Sequence, residues 1–328
     1  MADAAALEKQ FGIPNVLRFE QSAGGLVVLH ITAPSAEATI YLQGAHVTHW
    51  KPAGHDPAIF LSDRAEFVRG KPIRGGIPIV FPWFGDRHDG KQGPQHGFAR
   101  ISDWELAFAA LSGTSEDAEL HLAFTLAPND LSRSLGFDHF RLGYRVTVGQ
   151  QLRIEMSVAN DSGSGSGHST GPAAQTAHEE MERNGAPLTF EQALHTYYQV
   201  ADARQVSVDG LDGTEFIDKV DNFQRKIQDP GRLRLTGRVD RPYLNTEATC
   251  VLHDPAGRRS ITVAKQGSHS TVIWNPWNEF TAKMPDMQPD AWLRMTCIET
   301  ANVADNAITL QPGETHVMRL TASIDKTA

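Results

Sequence analysis

Apolar and polar residues alternate with a period of two along ELHLAFTLA (119–127), HFRLGYRVTVG (139–149) and QLRIEMSVAN (151–160), as in strands with one buried face. In the second of these, Phe140, Leu142, Tyr144, Val146 and Val148 share one face, and Arg141, Arg145 and Thr147 share the other. Runs of the same kind recur at 26–32, 38–50, 187–195, 248–253, 260–265, 270–274, 292–298 and 314–324. Helical periodicity is short where it occurs, as at 3–10, and 28 Gly and 18 Pro supply frequent turns. Many short strands along the whole chain predict an all-β sandwich or barrel.

No repeat or shift in composition divides the 328 residues, and all-β cores often reach this length, so 1–328 is read as one domain. Residues 161–173, DSGSGSGHSTGPA, stand apart. Their Ser/Gly content cannot bury enough apolar surface to offset ordering, which predicts a flexible insertion over 161–185. His178 and Glu182, four apart within it, could share a helix face, but HEEME lacks the second histidine of the zinc-protease pattern, and a solvated loop is the better reading.

Composition narrows the function. The net charge is −9, and no Lys/Arg run forms the stripe that holds a phosphate backbone, which argues against nucleic acid as a partner. A small anion can still be gripped by a few local arginines, because the field in a site is set by what lies within a Debye length. The start, MADAAALEKQFGIPNVLRF, has no cationic region followed by an apolar one, and no run of about 18 apolar residues occurs, so neither export nor membrane association is expected. Cys250 and Cys297, both in apolar runs, suit reduced buried thiols and a cytoplasmic protein.

The segment RGGIPIVFPWFG (74–85) cannot be a central strand, since Pro78 and Pro82 each remove a ladder donor; an edge or pocket wall is expected. Gly75 and Gly76 permit close backbone approach, which would let Arg74 aim its guanidinium into a cleft, although for this segment taken alone a surface arginine beside a turn is the better reading. QHGFAR offers Gln95 and His96 for sugar hydroxyls and Arg100 for an anion. His195 lies in the apolar LHTYYQV, as a core histidine with a backbone partner or as a catalytic group. Glu299 ends the apolar run 292–298, and buried glutamates are rare unless paired or functional. Asp240 beside Arg241 reads as an ion pair or a sugar ligand, and Trp274 and Trp277 as stacking faces or core. His46 and His49, three apart on one strand, point to opposite faces and do not share a metal. No GxSxG elbow, Walker loop, dinucleotide fingerprint or paired CxxC is present.

In order and spacing, YLQGAHVTHW, RGGIPIVFPWFG, QHGFAR with Trp104, LHTYYQV, DRPYLNT, WNPW and CIETANV resemble the glucose-6-phosphate 1-epimerase family, within the aldose 1-epimerase superfamily, from about residue 25 to 320. The resemblance implies a large antiparallel β-supersandwich with few short helices, and interconversion of the α and β anomers of hexose 6-phosphates without metal or organic cofactor. It further implies His195 as general acid, Glu299 as general base, Arg74, Gln95 and Arg100 as substrate and phosphate ligands, and Asp240 as a sugar-hydroxyl ligand, with His96 near the reacting centre. The chain departs from the family at 161–185, where the connection is usually short. A monomer is expected. For the acid to work at neutral pH, His195 must be protonated in the complex, which a phosphate dianion and Glu299 favour. A free-sugar mutarotase and a noncatalytic carbohydrate-binding module remain as alternatives.

Overall fold

The period-two pattern does build strands with one buried face. In the computed structural model, which describes residues 3–162 and 185–327, the strand Phe140–Val148 buries Phe140, Leu142, Tyr144, Val146 and Val148 and exposes Arg141 and Arg145. It pairs antiparallel with Glu119–Leu126 on one side and Leu152–Asn160 on the other. These three belong to a nine-stranded sheet that also takes in Cys250–Asp254, Arg259–Gln266 and Thr315–Lys326. A second sheet, of eight strands, carries Val239–Tyr243, Ser270–Asn275 and Met295–Asn302 at its centre, and a four-stranded sheet is formed by residues 17–52. The largest apolar cluster draws on residues from Ala4 to Ile324. Three short α-helices occur among the described residues, Ala4–Phe11, Asp130–Ser134 and Trp277–Thr281, so the architecture is the expected antiparallel all-β one.

Several expected runs divide or shift. The run 38–50 is two strands, Ala36–Tyr41 and His46–Pro52, because the chain turns at Gly44 and Ala45, both with positive φ. The run 292–298 opens as a turn of 3-10 helix, Ala291–Leu293, and its strand extends from Met295 to Asn302. Glu105–Ser112 was not foreseen: it lies at the edge of the nine-stranded sheet and is largely exposed, so selection for alternation is weak there. Both thiols are free and buried, as expected. The insertion 161–185, with His178 and Glu182, lies outside the described residues over 163–184.

Candidate active site

The centre of the site follows from strand register. Leu194 pairs with Thr300 and Tyr197 with Cys297 on the antiparallel strand Met295–Asn302, so extrapolation from either side sets His195 opposite Glu299. Opposed residues of adjacent strands carry their side chains on the same face with Cβ atoms about 5 Å apart. His195 Nδ1 lies 3.3 Å from Glu299 Oε1, with both residues buried. The ladder is interrupted at this point, and the His195 amide donates instead to the Pro78 carbonyl. Two residues along the same face, the next rung runs Asp240, Trp274, Cys297, Tyr197 across four strands. The sheet thus delivers an imidazole, two carboxylates, a thiol and two aromatic rings to one floor.

The glycine pair of RGG seats Arg74 against this floor. Gly75 and Gly76 have φ of 101° and 73°, the left-handed region that favours glycine. A Cβ at Gly76 would collide with His46 Nε2 and the Val47 carbonyl, and one at Gly75 with the Phe60 carbonyl. His46 Nε2 donates to the Gly75 carbonyl at 2.9 Å, and burial pushes this imidazole down to about 4, keeping it neutral. Arg74 then donates through Nε to Asp286 at 3.0 Å and through Nη1 to the Tyr197 hydroxyl at 3.1 Å. The two-residue strand Ile79–Val80 that follows is at the edge of the eight-stranded sheet, where the prolines require it to be.

Arg74, Gln95, His96, His195, Asp240 and Glu299 all line one cavity of about 570 Å³. Arg100 is placed otherwise. It is buried in the 3-10 turn Ala99–Ile101 and donates to the Gln95 carbonyl at 2.5 Å, and it is not among the lining residues. Burial and the nearby Arg74 guanidinium push it down to about 10. Of the two tryptophans of WNPW, Trp274 lines the cavity with its ring edge-on to His195, centroids 5.8 Å apart. Trp277 turns away to pack on Trp292 at 4.6 Å. Asp240 does not pair with its neighbour Arg241, which faces Asp218 and the Phe216 ring; its partner is Lys219 at 3.5 Å.

Sequence reasoning missed Lys219, Tyr197 and Asp286, all on the cavity wall. Lys219 follows the strand Glu215–Asp218, and Asp286 sits in a turn-rich stretch; neither carries a local signal. Tyr197 could have been found, because it is two residues from His195 and so on the same face. The wall carries Lys71, Arg74, Lys219, Arg238 and Lys283 beside the carboxylates of Glu66, Asp240, Asp286 and Glu299; Lys71, Arg74 and Lys219 pair with Glu66, Asp286 and Asp240. A more apolar cavity of about 610 Å³ lies across the Phe84 and Lys219 wall and contains none of the expected site residues.

Burial sets the protonation of the pair. Desolvation, then the Arg100 and Arg74 guanidiniums, holds His195 well below an ordinary histidine. Desolvation, then Asp240, holds Glu299 well above an ordinary glutamate, against the pull of Lys219. His195 Nδ1 and both Glu299 oxygens are buried without a hydrogen-bond partner, so the 3.3 Å approach is a contact and not an aligned hydrogen bond. Unpaired buried groups cost free energy that a ligand offering a donor and an acceptor recovers. His96 is held in place by the Gly85 amide, which donates to its Nδ1 at 3.2 Å, leaving a neutral ring whose edge meets Phe84.

The sequence profile of the aldose 1-epimerase family matches residues 27–169 and 173–323. The chain is 33% identical over 282 residues to a protein of Escherichia coli named "Putative glucose-6-phosphate 1-epimerase", covering 85% of this chain and 84% of that one. A protein of the same name from Cenchrus ciliaris is 30% identical over 280 residues, covering 84% and 78%. Among solved structures, one titled a putative mutarotase from Salmonella typhimurium superposes with a TM-score of 0.81 at 30% identity, covering 98% of this chain and 99% of that one. Galactose 1-epimerase from Lactobacillus acidophilus, at 12% identity and a TM-score of 0.63, shares the fold. The chain belongs to the aldose 1-epimerase family and is an epimerase.

Proposed function

We propose that the chain interconverts the α and β anomers of D-glucose 6-phosphate and related hexose 6-phosphates, with Glu299 as general base and His195 as general acid. The observation that carries this is the 3.3 Å approach of the two side chains, both without hydrogen-bond partners, on the floor of a cavity whose wall holds Arg74. The names of the relatives point to the same substrate.

Opening a cyclic hemiacetal requires a proton to leave the C1 hydroxyl while another reaches the ring oxygen. Glu299 takes the first proton and His195 delivers the second, so that the C1 to O5 bond breaks and an open-chain aldehyde forms. Rotation about C1 to C2 presents the other carbonyl face. Closure reverses both transfers and leaves the opposite anomer. Each positioned transfer contributes about 10² to 10⁴ in rate. Arg74 holds the phosphate, far from C1, where binding energy fixes the ring without weakening the reacting bond. Gln95, His96 and Asp240 take the sugar hydroxyls, while Arg100 acts from behind by holding the Gln95 carbonyl and adding positive potential.

In this reading 1–328 works as one domain and as a cytoplasmic monomer, with no nucleic-acid or membrane partner; the net charge of −9 and the two free buried thiols are in keeping with it. Two-dimensional exchange NMR tests the substrate. Exchange between anomers of glucose 6-phosphate should be accelerated strongly, and that of free glucose far less. Equal acceleration of both would make the chain a free-sugar mutarotase, and binding without exchange would remove the catalytic reading.

A further inference from the structure

We propose that His195, Cys297 and Glu299 form an inhibitory site for a borderline-soft divalent cation of the zinc class, which competes with the sugar. The inference goes beyond the substrate assignment and does not depend on which sugar binds. Cys297 and Glu299 are two apart on one strand and share a face, and His195 arrives opposite Glu299 from the neighbouring strand. One ligand atom from each lies within 4.8 Å of the others, with all three residues buried.

Two features distinguish this trio from a chance cluster. The first is the spacing of His195 Nδ1 and Glu299 Oε1. Bonds of about 2.0 to 2.1 Å at the tetrahedral angle separate two ligand atoms by about 3.3 Å. The observed separation is 3.3 Å, already the edge of a tetrahedron around zinc. The second is that Nδ1 and both carboxylate oxygens are buried without a hydrogen-bond partner, so an incoming cation breaks no hydrogen bond to reach them. The thiol, free of any disulfide, closes the third corner after an approach of roughly 1 Å, given a zinc-to-sulfur bond of about 2.3 Å.

The donor set selects the ion. Magnesium and calcium demand oxygen ligands, whereas one imidazole, one thiolate and one carboxylate suit zinc, cobalt or cadmium, the protons of the Cys297 thiol and the Glu299 carboxyl passing to water as the ion binds. His195 and Glu299 line the cavity, so the fourth position of a bound ion opens toward it, where water or a sugar hydroxyl completes the shell. An ion held there occupies both the acid and the base. It is an inhibitor and not a cofactor, since the ring opening needs those two groups free.

The test uses the full chain stripped of metal with a chelator. Cobalt(II) added alone should give the near-ultraviolet band of sulfur-to-cobalt charge transfer, retained in Cys250→Ser and lost in Cys297→Ser. Zinc should inhibit anomer exchange, competitively with glucose 6-phosphate and reversibly by chelator. Cys297→Ser should keep metal-free exchange and lose at least about tenfold in zinc sensitivity. If Cys297→Ser does not fold, the wild type decides the matter: displacement of the cobalt band by whichever sugar the chain exchanges, glucose 6-phosphate or glucose, supports the site, and a band that this sugar does not displace overturns it. No band, a band that follows Cys250, or unaltered zinc inhibition in Cys297→Ser would overturn the proposal. A band without any sugar exchange would retain the metal site and remove the substrate assignment.

Discussion

The ring of Tyr197 lies over the imidazole of His195, with centroids 4.8 Å apart and planes 10° from parallel, while its hydroxyl accepts a hydrogen bond from Arg74 at 3.1 Å. One buried side chain therefore touches both the proposed acid and the proposed anion grip. Tyr197→Phe keeps the stack and removes the acceptor, leaving Arg74 with Asp286 alone. A hydrogen bond to a charged group contributes about 1.5 to 3 kcal/mol, discounted here to about 1 to 2 because Arg74 is half-buried. The expected loss is roughly five- to thirtyfold in kcat/KM for glucose 6-phosphate, and less than about twofold for free glucose. Equal losses on both sugars would mean that the hydroxyl acts on the ring and not through the anion.

The protonation pattern of the pair predicts a bell-shaped pH profile. Burial opposes charge on each group, lowering His195 and raising Glu299, and so favours a resting form in the unliganded site with the proton on Glu299 and a neutral His195. The reactive form, imidazolium with carboxylate, is a tautomer of that resting form and holds the same number of protons. Both are depleted at low pH, where the two groups are protonated and no base remains, and at high pH, where neither is and no acid remains. The limbs belong to the pair and not to either residue. A phosphate dianion offsets the Arg74 and Arg100 charges that depress His195, and so moves the balance toward the reactive tautomer. We expect a bell in kcat/KM and a higher kcat for the phosphorylated sugar than for glucose. A rate flat from about pH 5 to 9 would refute the acid–base pairing.

Much of this was legible in the chain because strands convert sequence into faces. Alternation at 139–149 gave the buried face residue by residue, and the apolar surroundings of His195 and Glu299 marked both as costly to bury without purpose. What joins them, a register linking positions 104 apart, is a property of strand pairing that no local pattern encodes. The same holds for Lys219 and Asp286, which reach the cavity from loops whose positions depend on the sheets they connect. Arg100 was legible as a cation but not in direction: a 3-10 turn sends its guanidinium back to the Gln95 carbonyl.

Glu299→Gln separates catalysis from folding. In the proposed mechanism the amide cannot accept the C1 proton, so turnover should fall by about 10² to 10⁴, and His195→Asn should cost a similar factor. Stability should move the other way. Burial raises the folded-state pKa of Glu299 above its ordinary value of 4.5, so its contribution is fully present below that pH and is lost as pH rises toward the raised value. The amide has no such loss. The Tm of Glu299→Gln relative to wild type should therefore be higher at pH 8 than at pH 5. A difference that shrinks with rising pH would show that the carboxylate is stabilised in the folded chain.

Gly76 tests whether the arginine is placed by backbone geometry. At φ of 73°, any residue with a Cβ meets the steric penalty of the left-handed region, about 1 to 2 kcal/mol. The added carbon also meets His46 Nε2 and the Val47 carbonyl, neither of which can retreat, since the imidazole is buried and bound to the Gly75 carbonyl. Overpacking of this kind adds about 1 to 3 kcal/mol. Gly76→Ala should thus destabilise the chain by about 2 to 5 kcal/mol in urea unfolding. The relief available is a shift of the Arg74 to Gly76 segment away from the floor, which draws Arg74 from Tyr197. Folded Gly76→Ala should accordingly lose affinity for glucose 6-phosphate more than for glucose. If stability falls but the preference for the phosphorylated sugar is unchanged, the glycine serves packing alone and Arg74 is positioned by Asp286.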